Sequence, residues 1–271
     1  TDAHKLVEEW MLLANREVAQ HVFAMIKKTK AKLPFLYRVH DAPDIEKIEE
    51  LNIFLRALGH EIPITRDRVS SKDINALFAR IQGEASEGII KIAALRAMSK
   101  AVYSTVNNGH YGLAFQYYTH FTSPIRRYPD LMVHRLLQSY LTGEPVHAKS
   151  MLRYQKIATR STEREIEATI AERDSIKYKQ VEFMAGSVGT TFDAVVSGVT
   201  EWGIYVEEVQ TKAEGMVRLR DLQDDFYILD KKNYALVGEK TKKKYVLSAP
   251  IRVKLTKADL ESRTLDFVVV E

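Results

Sequence analysis

Between Tyr117 and Arg135 the chain reads YYTHFTSPIRRYPDLMVHR, and the side chains best suited to chemistry crowd into it. Arg126, Arg127, His134 and Arg135 sit among tyrosines and small hydroxyl residues, with Pro124 and Pro129 restricting the backbone. Ser123 followed by Pro124 is a helix-start signal, because a hydroxyl can accept from an orphan amide and proline suits the first helical position. On this pattern Pro129 ends or kinks the first turn, and Asp130 to Tyr140 continues as an amphipathic helix. Ser123, Arg126, Arg127 and Tyr128 then lie near a helix start. Free N–H groups, the positive end of the helix dipole and planar guanidinium forks suit a phosphate there. The chemistry implied is recognition of a phosphodiester backbone.

The elements that must deliver this stretch are legible around it. Leu6, Val7, Trp10, Met11, Ala14, Val18, Val22 and Met25 recur at helical spacing and predict a core helix from His4 to Lys28, which also carries Glu8, Glu9 and Asn15. Lys27, Lys28, Lys30 and Lys32 follow, where positive charge suits a helix C-terminus. Phe35 to His40 reads as a short strand. Helices are expected through Ile45 to Leu58, from Ser70 to Gly83, and from Glu87 to Tyr103. Tyr111 to Tyr118 alternates like a strand leading into the arginines. His110, His120 and His134 lack the compact spacing of a metal motif and read as structural. Gly143 and Pro145 close the next helix, and a long polar helix from Ser150 to Phe183 places Glu165 and Glu172 on one face.

A composition shift at Gly186 to Gly189 divides the chain into residues 1–185 and 186–271. Beyond it, Val188 to Val196, Gly203 to Val209, Ala213 to Leu219, Tyr245 to Leu255 and Leu265 to Val270 predict five strands, enough for a small closed barrel. The expected fold is therefore α+β, a mixed helical and strand region followed by a five-stranded β-barrel. At 271 residues there is room for two domains, and no apolar run approaches the roughly 20 residues of a membrane span. Zero cysteines exclude disulfides and thiolate metal sites and fit a cytoplasmic setting. The net charge of +4 favours a polyanionic partner. The start at Thr1, directly in a helical pattern, suggests a piece of something longer.

The run GHYGLAFQYYTHFTSPIRRYPDLMVHRLL, residues 109–137, resembles the core signature of the ribonuclease II and ribonuclease R (RNB) exoribonucleases, closer to the ribonuclease R side. DAHKLVEEWMLLAN at 2–15, LYRVHDAP at 36–43 and AERD at 171–174 support it. The resemblance implies the C-terminal portion of an RNB catalytic domain, and Mg²⁺-dependent hydrolysis of single-stranded RNA from its 3′ end to nucleoside 5′-monophosphates. It casts Arg126 as phosphate clamp and transition-state stabiliser, with Ser123, Arg127 and Tyr128 in support. Glu172 becomes a site carboxylate, and Glu9 (or Glu8) a contact to a ribose hydroxyl. The segment GSVGTTFDAVVSGVTEWGIYVEE, followed by EGMVRLRDL, resembles the OB-fold RNA-binding domain of the ribosomal small-subunit protein type. Phe192, Trp202, Tyr205, Arg218 and Arg263 match its binding face, Arg218 standing where a histidine is usual. The metal-binding aspartates of the family fall upstream of the matched region, so no metal ligand is assigned here; Asp41, Asp44, Asp224 and Asp225 lack the family context. Two alternatives follow: the C-terminal half of an exoribonuclease, completed by a longer polypeptide or a separate chain, or a non-catalytic RNA-binding module.

Overall fold

A computed structural model describes residues 1–29, 33–65, 68–84, 86–144, 146–230 and 235–270; Lys30, Lys32 and Pro145 lie outside the described residues. The chain forms two compact units, one from residues 1–44, 68–71 and 98–169, the other from 45–67, 72–97 and 170–271.

The first unit holds α1 (Asp2–Thr29), a two-stranded antiparallel ribbon of β1 (Tyr37–Val39) and β2 (Val102–Ser104), α5 (Tyr128–Thr142) and the first half of α6 (Met151–Ala185). Its core joins Ala19 and Val22 of α1 to Phe35, Leu36, Tyr103, Val133, Leu136 and Ala158. The apolar stripe of α1 is thus buried in its C-terminal half alone. Leu6, Val7 and Trp10 are 60%, 58% and 64% exposed, which corrects the expectation of a core helix throughout. Two further expectations change here. The helix expected to reach Tyr103 stops at Ala97, and Val102–Ser104 pairs with Tyr37–Val39 because β-branched and aromatic residues fit that pleat better than a helix. The strand expected over 111–118 is instead one 3₁₀ turn, Tyr111–Leu113, with Gly109 and Ala114 at positive φ on either side.

The second unit packs α2 (Ile45–Ala57), α3 (Ser71–Arg80) and α4 (Glu87–Ala97) with the rest of α6 and the barrel. The barrel is formed by β3 (Thr191–Thr200), β4 (Gly203–Glu208), β5 (Glu214–Arg218), β9 (Pro250–Asp259) and β10 (Thr264–Val269), closed in the order β3-β4-β5-β10-β9. β5 and β10 run parallel and the other pairs antiparallel, a five-stranded mixed closure of the OB type. Val181 and Met184 of α6 join its core of Val196, Ile204, Val206, Val217, Val253, Leu255, Leu265 and Phe267. The single strand expected from Tyr245 to Leu255 is two. Ser248, at φ 64, turns the chain between β8 (Lys244–Val246) and β9. β8 pairs with β7 (Ala235–Gly238), which pairs with β6 (Tyr227–Asp230), in a small separate sheet that the turn-rich sequence did not announce.

Candidate nucleic-acid interface

The arginine stretch is a turn rather than a helix start at Ser123. The N–H groups of Arg126 and Arg127 both donate to the Ser123 carbonyl, at 3.3 and 3.0 Å, and α5 begins only at Tyr128 with Arg127 as its N-cap. Pro129 therefore lies in the first helical turn, where its missing N–H costs nothing, and does not kink the helix. No side chain caps this helix start. Beneath it Asp130 is wholly buried and its Oδ2 accepts from Ser123 N and Arg127 Nη2, both at 2.8 Å. One carboxylate thus pins both ends of the turn. Asp130 Oδ1, Arg127 Nε and Thr122 Oγ1 are buried without a protein partner, so hydrogen-bonding capacity is left over under the arginines. Arg126, by contrast, is exposed and has no carboxylate partner among the described residues.

Hydrogen bonds from α1 and α5 hold the approach to the turn in place. Buried Asn15 of α1 accepts from Phe121 N at 2.9 Å and donates to Tyr118 Oη at 3.1 Å. His134 Nε2 bonds the Phe121 carbonyl at 2.8 Å, and its ring stacks on Phe121 at 4.0 Å. Arg38 lies over the Tyr103 ring at 4.7 Å and grips Glu165 with two hydrogen bonds, at 2.6 and 3.2 Å. Glu165 of α6 thus meets an arginine from β1, 127 positions earlier in the chain. Glu172 is exposed on α6 in the second unit, and Glu9 is exposed on α1. Asn15, Arg38 and Asp130 were missed as organising residues, since nothing in their spacing marks them as partners of residues over 100 positions away or across a turn.

His110 and His120 have their pKa values pushed down by their surroundings. His120 bonds Tyr103 Oη at 2.8 Å, and burial first, then Arg127 and Arg38, push its pKa down to about 3. Burial and the neighbouring His40 bring His110 down to about 4. His40 accepts from Gly112 N at 2.9 Å through Nδ1 and reaches the Ser99 carbonyl at 2.7 Å through Nε2, so its tautomer is set by the backbone. Gly112 is required there: a Cβ would sit 2.8 Å from His40 Nδ1. A histidine with depressed pKa binds its proton in the unfolded chain first, so stability is complete above the ordinary value of 6.5 and lost as pH falls towards 4 and 3. The urea midpoint should accordingly fall steeply below pH 6.5, and imidazole NMR signals of His110 and His120 should not titrate above pH 5. Titration of both near 6.5 would contradict this environment.

On the barrel, Trp202 and Arg218 line one cleft while Tyr205 lines another. Arg218 is held by both oxygens of Asp266 at 3.1 Å. Arg263, in the turn between β9 and β10, pairs at 2.7 Å with Asp174 of the AERD tetrad. Phe192 is half-buried and packs against the barrel core. Among Lys240, Lys242, Lys243 and Lys244, which follow β7, Lys243 pairs with Asp224 at 2.9 Å and Lys242 bonds the Glu239 carbonyl.

The RNB domain matches residues 1–143, which contain the arginine turn, Asn15 of α1, and His110 and His120. The chain belongs to the RNB family. Ribonuclease R of Aquifex aeolicus is 36% identical over 99% of this chain and 37% of its own length, and ribonuclease R of Thermotoga maritima is 38% identical over 99% and 38%. Mycoplasma genitalium RNase R, solved without ligand and in complex with ribose-methylated single-stranded RNA, superposes with a TM-score of 0.88 at 28% identity, over 99% of this chain and 42% of that one. The chain thus spans about two-fifths of the length of these relatives.

The magnesium ion that RNB membership implies finds no fitting donor set here. Hard cations need clustered carboxylates, and among the described residues no three His, Cys, Asp or Glu side chains converge. Asp225 is spent on the Lys240–Thr241 turn, Asp224 on Lys243 and Tyr227, and Asp41 accepts from Asn108. No described helix is long and apolar enough to cross a membrane.

Proposed function

We propose that this RNB region belongs to a ribonuclease R-like 3′-to-5′ exoribonuclease that hydrolyses RNA to nucleoside 5′-monophosphates. The observation that carries the proposal is the Ser123–Arg127 turn: an exposed, uncompensated Arg126 beside an uncapped helix start, on a backbone pinned by a buried carboxylate. A guanidinium fixed at its base and free at its tip is suited to the charge that builds on a phosphate in the transition state. Arg126 clamps the scissile phosphate. Arg127 fixes the turn through Asp130, while Ser123 and exposed Tyr128 contact the strand. Glu172 serves as a site carboxylate and Glu9 meets a ribose hydroxyl. The division into residues 1–185 and 186–271 assigns catalysis to the first part and RNA capture to the barrel, through Phe192, Trp202, Tyr205, Arg218 and Arg263. The carboxylates for Mg²⁺ come from the part of the relatives that this chain does not span, in a longer polypeptide or a separate chain. The setting is the cytoplasm.

The lack of a carboxylate cluster among the described residues favours a second reading for the 271 residues alone, a non-catalytic RNA-binding module. A magnesium-dependent assay on 3′-tailed single-stranded RNA separates the two. Mononucleotide release by the complete protein and RNA binding without release by these residues is the expected pair of results. Failure of the complete protein to release mononucleotides would overturn the enzymatic proposal.

A further inference from the structure

His120 lies on the segment that leads into the arginine turn, and spacing along the chain marks it only as structural. Its surroundings argue for more. The half-buried imidazole is wedged between two buried tyrosines, edge-on to Tyr103 at 5.5 Å and to Tyr118 at 5.8 Å between ring centres. Both phenol rings are themselves fixed. Tyr118 Oη accepts from Asn15 at 3.1 Å, and the Tyr103 N–H donates to Thr162 Oγ1 at 3.0 Å while Arg38 lies over the ring face. Close packing of this kind leaves the imidazole little freedom to turn.

The packing uses only one of the two ring nitrogens. Nδ1 meets Tyr103 Oη at 2.8 Å, whereas Nε2 has no hydrogen-bond partner among the described residues and is not sealed from solvent. The Tyr103 hydroxyl has no other acceptor among the described residues, so both groups are satisfied when the phenol donates to Nδ1 and the imidazole proton sits on Nε2. The opposite assignment would leave a phenol proton unpaired on a buried side chain. Burial first, then Arg127 and Arg38, bring the pKa down to about 3, which keeps the ring neutral and the proton where Tyr103 puts it. His120 therefore presents a rigid, uncharged N–H donor with nothing in this chain to receive it.

The charges around the ring indicate the acceptor. Arg127, Arg38 and Arg126 all act electrostatically on His120. Asp130 offsets the first and Glu165 the second, which leaves the field of exposed Arg126. An N–H donor in a positive field is suited to an anionic oxygen, and a hydrogen bond to a charged acceptor is the stronger kind. We propose that His120 is a second phosphate ligand of the arginine site, its Nε2–H donating to a non-bridging oxygen of the phosphodiester next to the one held by Arg126, with Tyr103 as the residue that positions it. The proposal rests on the function proposed above for RNA as substrate and Arg126 as clamp. The two residues divide the work: Arg126 supplies charge, and His120 supplies direction, since a neutral donor attracts only an oxygen placed along its N–H bond.

The test uses the complete protein without divalent metal, so that RNA is bound and not cut. Affinity is measured for single-stranded oligonucleotides in which each phosphate near the 3′ end is replaced in turn by a methylphosphonate. One replacement is expected to weaken binding to the unaltered protein about tenfold, and binding to His120→Ala by less than about threefold. Arg126→Ala should cancel the penalty at a different phosphate. His120→Gln, whose amide nitrogen takes the place of Nε2, should recover most of the affinity, and Tyr103→Phe should lose part of it. Each penalty is a ratio of two RNAs on the same protein, so a variant that is only less stable does not alter it. In the unaltered protein, ¹⁵N-labelled histidine should show the His120 proton on Nε2 and a shift of that signal when RNA binds. A proton on Nδ1, an Nε2 signal unmoved by RNA, or equal penalties in wild type and His120→Ala at every phosphate would overturn the contact. Mononucleotide release on adding Mg²⁺ is scored separately: its absence with the coupling intact would remove the enzymatic reading and leave His120 as a binding contact.

Discussion

Replacing Arg126 by alanine in the complete protein is expected to lower kcat by about 10²–10³-fold, the scale of removing one pre-organised donor to a developing oxyanion. RNA affinity should weaken by less than about tenfold, because one guanidinium is one phosphate contact among many along the strand. The asymmetry follows from the geometry: Arg126 is free at its tip and has no carboxylate partner among the described residues, so its strongest interaction is available for charge that appears only as the phosphate reacts. Arg126→Lys retains the charge but loses the planar fork, and should recover turnover only in part. Single-turnover rates with saturating protein, set beside equilibrium binding of the same RNA, separate the two effects. Equal losses in rate and affinity would reduce Arg126 to a simple phosphate contact.

Asp130→Ala should destabilise the first unit by about 3–5 kcal/mol, the cost of leaving one member of a buried ion pair without the other. Asp130 has no exposure to solvent and holds both Ser123 N and Arg127, so its loss leaves an amide and a largely buried guanidinium without their shared acceptor. Asp130→Asn keeps an accepting oxygen and should cost less. The measurement is the urea midpoint and slope of each variant. A loss under about 1 kcal/mol for Asp130→Ala would mean that the buried pair contributes little net stability. In the complete protein the same variant should lower turnover as well, since Arg126 lies on the turn that Asp130 pins.

The sequence by itself determined the parts of this protein whose signal is local. The family signature is contiguous, so the arginine stretch and RNB membership were legible before any coordinates, although the stretch proved to be a turn and not the helix start expected at Ser123. The barrel strands alternate strongly enough to be counted, and the long period of α6 marked a helix close to its observed limits, Met151–Ala185. Tertiary structure decided what local pattern cannot encode. The strand expected at 111–118 became a 3₁₀ turn because His40, far earlier in the chain, binds Gly112 N and leaves no room for a side chain there. Val102–Ser104 left its helical pattern because Tyr37–Val39 offered a paired edge. The support of the arginine turn by Asn15, and the pairing of Glu165 with Arg38 across 127 positions, depend on which surfaces meet after folding. A hydrogen bond is selected by distance and angle, and residue spacing along the chain carries neither until the chain has closed on itself.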